Sequence, residues 1–225
     1  MQTLTEQLLE EGFKDRVLTD AQLGRLISGS SQRRYNLVNR AMKAGELIRL
    51  RRGLYLLADK YRSQPCHPYA LAQRLEPGSY VSLETALAFH GWIPEAVYTT
   101  AAVVPSRQSK ELMVERLGRF TFHPLAIQRG YFLELVERVQ LGEQVVLMAK
   151  PIRAVLDLVC MRKVGWQGLD WLVQGMRIEE ELLNRVTGTE LRTLSQVYKH
   201  KRVKCFIAEL EIALGFNLGR ELGGD

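Results

Sequence analysis

Thr19 to Leu57 reads TDAQLGRLISGSSQRRYNLVNRAMKAGELIRLRRGLYLL, and this stretch decides the fold. Thr19-Asp20-Ala21-Gln22 is a capping box: a threonine before a helix and a glutamine three residues on, each able to satisfy an exposed amide of the first turn. The short helix that follows turns Leu23, Leu26 and Ile27 inward and closes at Gly29, so Gly29-Ser30 is a tight turn. A third helix is expected from Ser31 to Ala44, ended by Gly45. Leu47-Ile48-Arg49-Leu50 then alternates, Arg51-Arg52-Gly53 turns the chain, and Leu54-Tyr55-Leu56-Leu57 returns as a second strand. Upstream, Thr3-Leu4-Thr5-Glu6 opens a first helix with Leu4, Leu8 and Leu9 on one face. Helix, helix, tight turn, helix, hairpin is the order of a winged helix-turn-helix.

Projected at about 100° per residue, the third helix puts Leu37, Val38, Ala41, Met42 and Ala44 on one side. The other side carries Gln32, Arg33, Asn36, Asn39, Arg40 and Lys43, with no acid among them. These are the side chains duplex recognition needs, since arginine spans guanine O6 and N7, asparagine or glutamine spans adenine N6 and N7, and lysine or arginine neutralises phosphates. Gln32, Arg33 and Asn36, near the helix start, are expected to read bases, and Asn39, Arg40 and Lys43 to lie nearer the backbone. Ser30 and Ser31, at a helix start with free amides, suit a phosphate. Arg49, Arg51 and Arg52 on the hairpin are placed for the flanking backbone or the minor groove. Arg34 falls toward the apolar side, its stem laid over the core. The competing reading of this surface is a solvated basic face, and the hairpin could serve dimerisation instead.

The formal charge of the 225-residue chain is +6, yet Arg25 to Arg52 alone holds eight Lys or Arg against the single acid Glu46. A composition 46% apolar and 25% charged is that of a folded protein with a real core. The length suits two modest domains. Neither a span of uncharged apolar residues nor a signal peptide is present, so a cytoplasmic protein is expected, with no membrane partner. The three cysteines, Cys66, Cys160 and Cys205, lie far apart and read as reduced thiols. Cys66-His67 lacks the second close pair that a zinc site needs, so no metal and no cofactor are expected.

Ala58 to Pro65 is aperiodic and reads as a linker, giving a reading domain at 1–57, a linker at 58–65 and an α+β domain at 66–225. In the last of these, Pro68–Leu75 and Ser82–His90 read as helices, and Tyr80-Val81 as extended. Val97–Val104, Arg119–His123, Tyr131–Val139 and Gln144–Met148 read as strands of one mixed or antiparallel sheet. Pro151 opens a helix carrying Ile152, Val155, Leu156 and Val159 on one side, and helical patterns run from Trp166 to Phe216. The fold class is therefore α+β: a winged helix-turn-helix, then a mixed α/β domain ending in helices. The Gly-rich end Leu222-Gly223-Gly224-Asp225 reads as frayed.

Several segments beyond periodicity carry a family resemblance: Arg51-Arg52-Gly53-Leu54-Tyr55, the run SYVSLETALAFHG from Ser79 to Gly91, and AKPIRAVLDL from Ala149 to Leu158. With the helical start they cover most of residues 1 to 160, and the chain resembles the AbiEi antitoxins, the regulator halves of abortive-infection AbiE toxin–antitoxin pairs. The resemblance implies a bacterial type IV, phage-defence antitoxin whose winged domain represses its own operon. It also implies that the second domain opposes a nucleotidyltransferase-type toxin, without necessarily binding it. The last sixty or so residues match no motif, and operator sequence and oligomeric state are not legible.

Read from the residues alone, Tyr80, Leu83, Ala86, Leu87 and Trp92 are at core spacing, and His90 beside Gly91 is a helix-end histidine bonded to a carbonyl. Arg153 and Asp157, four apart, read as an ordinary surface ion pair, the alternative being an arginine holding a carboxylate buried between sheet and helices. Lys199-His200-Lys201-Arg202-Val203-Lys204 reads as a solvated helix face, or else as more nucleic-acid surface.

An enzyme is not expected. A nucleotidyltransferase needs paired acids near a Gly-Ser turn, whereas Gly29-Ser30 is followed by no acid until Glu46. P-loop, GxGxxG, HExxH and GxSxG motifs are all missing. The remaining alternative is a winged-helix repressor whose second domain senses a small ligand, because a ligand pocket is built from dispersed residues.

Overall fold

Thr3 and Glu6 close the first capping box as expected: the Glu6 amide donates to Thr3 Oγ1 at 3.2 Å and the Thr3 amide to Glu6 Oε2 at 2.8 Å. In the computed structural model, which describes residues 3–216, this box starts α1, Leu4–Glu10. The Gly-rich end lies outside the described residues. Thr19 and Gln22 form the second box, opening α2, Asp20–Leu26. Ser30 caps α3, Ser31–Lys43, by accepting the Arg33 amide.

The hairpin pairs β2, Leu47–Arg51, with β3, Leu54–Leu57, and β3 also takes the two-residue strand β1, Leu18–Thr19, along its other edge. Two residues carry no alternation, so β1 gives no periodic signal. Leu4, Leu8, Leu23, Val38, Ala41 and Leu47 make the core between helices and sheet, together with Tyr55 and Leu57.

Every residue of β3 is buried. Leu54 and Leu56, with Leu50 of β2, lie in a different cluster from Tyr55 and Leu57, against Leu71, Leu75, Val104, Phe120 and Phe122 of the following chain. A shift in register between Arg49 and Arg51 turns Leu50 into this seam and leaves both arginines exposed. The stretch 58–65, expected as a linker, contains a 3-10 turn at Asp59–Tyr61 and the buried Arg62, and its Ser63 amide donates to Asp15 Oδ1 at 2.8 Å.

The second sheet has six strands: β4, Tyr80–Val81; β5, Thr99–Val104; β6, Lys110–Val114; β7, Gly118–Pro124; β8, Val136–Leu141; and β9, Gln144–Ala149. Their order is β6-β7-β5-β4-β9-β8, with β5–β7 and β4–β9 parallel and the other pairs antiparallel, so the sheet is mixed. Alternation along β5 sends Ala102 and Val104 to the seam shared with α4, Pro68–Leu75. Ala101 meets Leu83 and Leu158, from α5, Leu83–Phe89, and α6, Pro151–Arg162. Three helices follow: α7, Glu180–Leu183; α8, Gly188–Ser195; and α9, Lys201–Ala213. A π-helical turn, Trp171–Gly175, precedes them.

One strand expectation changes and one strand is added. The run from Tyr131 is strand only from Val136, because Leu135 takes φ +53 and Phe132 packs edge-on to Tyr80. Lys110–Val114, not among the expected strands, is the edge strand β6, where only Val114 is buried. The surface reading of Arg153 and Asp157 is corrected outright: both are fully buried.

Arg153 Nε donates to Asp157 Oδ1 at 3.0 Å, Nη1 to the Glu134 carbonyl at 3.0 Å and Nη2 to the Tyr80 hydroxyl at 2.7 Å. Asp157 also accepts from the hydroxyls of Tyr80, Ser82 and Tyr198. Burial alone would lower the Arg153 pKa, but Asp157 and the two tyrosines outweigh it and hold it above its ordinary value. Helix periodicity alone missed this, since i,i+4 spacing is shared by surface and buried pairs. Asp157→Ala is expected to cost about 3–5 kcal/mol by stranding a buried guanidinium. Arg153→Met with Asp157→Leu should cost less than that single change. Urea titration of the three proteins decides, and a single variant as stable as wild type would contradict this account.

Candidate nucleic-acid interface

The helix start at Ser30 fixes which way α3 faces. With Val38 and Ala41 in the core, Ser31, Gln32, Arg33, Asn36, Arg40 and Lys43 are exposed and Asn39 half-buried. The helix carries no acid. Gln32 Nε2 donates to Asn36 Oδ1 at 3.1 Å, so the two amides present one linked edge.

Between α3 and the hairpin runs a groove of about 460 Å³, lined by Ser31, Gln32 and Asn39 on one side and Arg49 and Arg52 on the other. The structure thus brings together five of the ten expected residues. Arg33, Asn36, Arg40 and Lys43 are exposed along α3 outside this groove, and Arg51 is exposed on the hairpin. Among the described residues none of these cations enters an ion pair within 4.0 Å.

Tyr35 escaped the sequence reading. It is 63% exposed and lines the groove, but an aromatic at the edge of the apolar face carries no charge to mark it. Asp20 is the one acid of the groove lining. Burial, then the Asp20 carboxylate, pushes the Tyr55 phenol above its ordinary pKa. Arg34 is half-buried as expected, its guanidinium across Gly24, where a Cβ would come within 2.9 Å of Nη1.

The other polar motifs are local devices. His67 caps α4 by accepting the Tyr69 amide at Nδ1, 3.2 Å, and burial lowers its pKa. Burial also pushes the Cys66 thiol up. Among the described residues no group of three or more His, Cys, Asp or Glu is arranged to hold a metal ion. His90 Nε2 meets the Ala149 carbonyl at 3.0 Å, the helix-end role expected of it. Lys199 to Lys204 is exposed apart from Arg202 and Val203. No helix among the described residues is long and apolar enough to cross a membrane.

The described chain is a mixed α/β protein whose amino-terminal unit is helix-turn-helix-like, with an acid-free third helix beside a basic hairpin. Residues 6–58, this unit almost to its ends, match the family described as "Transcriptional regulator, AbiEi antitoxin". No curated protein matches the chain.

Gly53 lies tight against the start of α2. It takes φ +74, its carbonyl accepts the Asp20 amide at 3.1 Å, and an added Cβ would stand 2.9 Å from Asp20 Oδ2. Gly53→Ala is therefore expected to destabilise by more than about 1 kcal/mol, measured by urea unfolding. A neutral or stabilising result would mean that the turn relaxes freely.

Proposed function

We propose that this protein is a DNA-binding transcriptional autorepressor and antitoxin of a bacterial toxin–antitoxin system, acting in the cytoplasm. The observation that supports it is the convergence of Ser31, Gln32, Asn39, Arg49 and Arg52 on one groove within the segment that matches the antitoxin regulators. The hairpin is the wing. Gln32, Arg33 and Asn36 read base edges in the major groove, Asn39, Arg40 and Lys43 hold the phosphates beside them, and Arg49, Arg51 and Arg52 grip the flanking backbone. Free cations suit this work, because each phosphate neutralised releases condensed counterions into solution.

The chain divides its labour at the connector, with 1–57 reading DNA, 58–65 joining, and 66–225 opposing a nucleotidyltransferase toxin without needing to bind it. The resemblance of Ser79–Gly91 and Ala149–Leu158 to the type IV, phage-defence AbiE antitoxins supports that second half. Catalysis has no part in it: the protein transfers no nucleotide itself.

Gel shifts on the operator test the reader. Arg33→Ala or Asn36→Ala should cost about 1–3 kcal/mol of specific binding per lost base contact, whereas Arg51→Ala should weaken all duplexes alike and lower the salt slope by about 1. Folded Arg33→Ala and Asn36→Ala proteins that bind like wild type would remove α3 as the reader.

The division of labour is tested in the full chain. With the neighbouring toxin driven from an unrelated promoter, the Arg33→Ala protein should restore growth as wild type does while failing to shift the operator. Loss of rescue in step with loss of DNA binding would refute the division.

A further inference from the structure

Where the amino-terminal unit meets the second sheet, a cavity of about 150 Å³ opens between distant parts of the chain. Asp15 comes from the loop after α1, Arg62 from the connector, Cys66 from just beyond it, Arg74 from α4, and Glu143 from the β8–β9 turn. With two glutamines completing the wall, the lining has no aliphatic or aromatic side chain.

Its charges are of both signs and are held apart. Among the described residues Arg62 pairs with Asp59, outside the lining, and Arg74 with no carboxylate, so neither guanidinium neutralises Asp15 or Glu143. Asp15 is steered by Ser63, whose amide donates at 2.8 Å, and by the Gln64 amide, and Glu143 by Gln64 Nε2 at 2.7 Å, and a carboxylate held in this way keeps further lone pairs. The Arg62 side chain is only 2% exposed, and its Nε is buried with no hydrogen-bond partner among the described residues. Both guanidinia act at one point: burial raises the Cys66 thiol pKa, and Arg62 and Arg74 pull against that rise.

We propose that this cavity binds a small zwitterion, an α-amino acid with a small or polar side chain. Its carboxylate lies toward Arg62 and Arg74, whose planar forks match a carboxylate, and its ammonium donates to Asp15 and Glu143. A simple anion would leave the two carboxylates facing it, and a simple cation would face the two guanidinia. Only a ligand with both charges satisfies all four. The walls come from both sides of the seam, so the bound amino acid ties the α3–hairpin unit to the sheet. The site is independent of DNA reading.

Thermal unfolding of the full-length protein with each of the twenty amino acids, beside acetate and ethylamine, is the test. An amino acid supplied at about 100 times its Kd should raise the midpoint by about 5 °C or more, and acetate and ethylamine should not. Isothermal titration of the best amino acid into Arg74→Ala and Glu143→Gln, both at exposed side chains and each folded by circular dichroism, should show at least a tenfold weaker Kd. The proposal is overturned if no amino acid moves the midpoint, if acetate or ethylamine moves it as far, or if both variants bind like wild type. The operator gel shift stands apart from these readouts, so either reading can fail without the other.

Discussion

A strand buried on both faces is the constraint on which the arrangement turns. β3 gives Tyr55 and Leu57 to the helical core and Leu54 and Leu56 to the seam with the six-stranded sheet. Burying a leucine side chain is worth about 1.5–3 kcal/mol, so the four residues together hold more than the net stability of a loose hairpin can supply. An isolated hairpin is marginal in water, whereas this one is clamped between two cores. The consequence reaches the candidate site directly. Arg49 and Arg52 stand on the free side of a clamped element, at a fixed distance from α3, instead of on a swinging arm.

The Arg153–Asp157 network does for the second sheet what β3 does for the seam. It joins α6 to Tyr80 and Ser82 at β4, to the Glu134 carbonyl before β8 and to Tyr198 before α9. Apolar packing resists separation but is tolerant of sliding. Five directed bonds at 2.7–3.0 Å are not, and they set the register of α6 against β4 and the segments before β8 and α9. The desolvation of two charges is offset only because each nitrogen of Arg153 and each oxygen of Asp157 has a partner. Such a device specifies one packing more than it adds stability.

How much of this was legible depended on whether the signal was local. Capping boxes at Thr3 and Thr19, the Gly53 turn and the Pro151 start are chemistry within a few residues, and each reads correctly from sequence. The acid-free face of α3 was legible for the same reason. What failed was information carried by partners far away in the chain. Arg153 and Asp157 look like a surface pair until Tyr80 and Tyr198 close over them, and β6 looks like a loop until Phe120 and Phe122 of β7 give it a neighbour. The groove was half legible: its cations announced themselves, but Tyr35 is identified only by the space beside it.

Charge placement adds a last step. Arg25 to Arg52 carries eight cations and one acid, a net +7, against +6 for the whole chain, so the other residues sum to −1. The excess positive charge is therefore concentrated in one segment and not spread along the chain. On the function proposed above, operator DNA would be drawn toward the segment that bears α3 and the hairpin, which would shorten the orientational search that otherwise limits docking. At physiological salt the attraction extends only about 8 Å, so the clustering of these cations within one helix and one hairpin matters more than their number. The apolar clamp on β3 and the electrostatic gradient thus act on the same few arginines, one fixing where they stand and the other giving that position its reach.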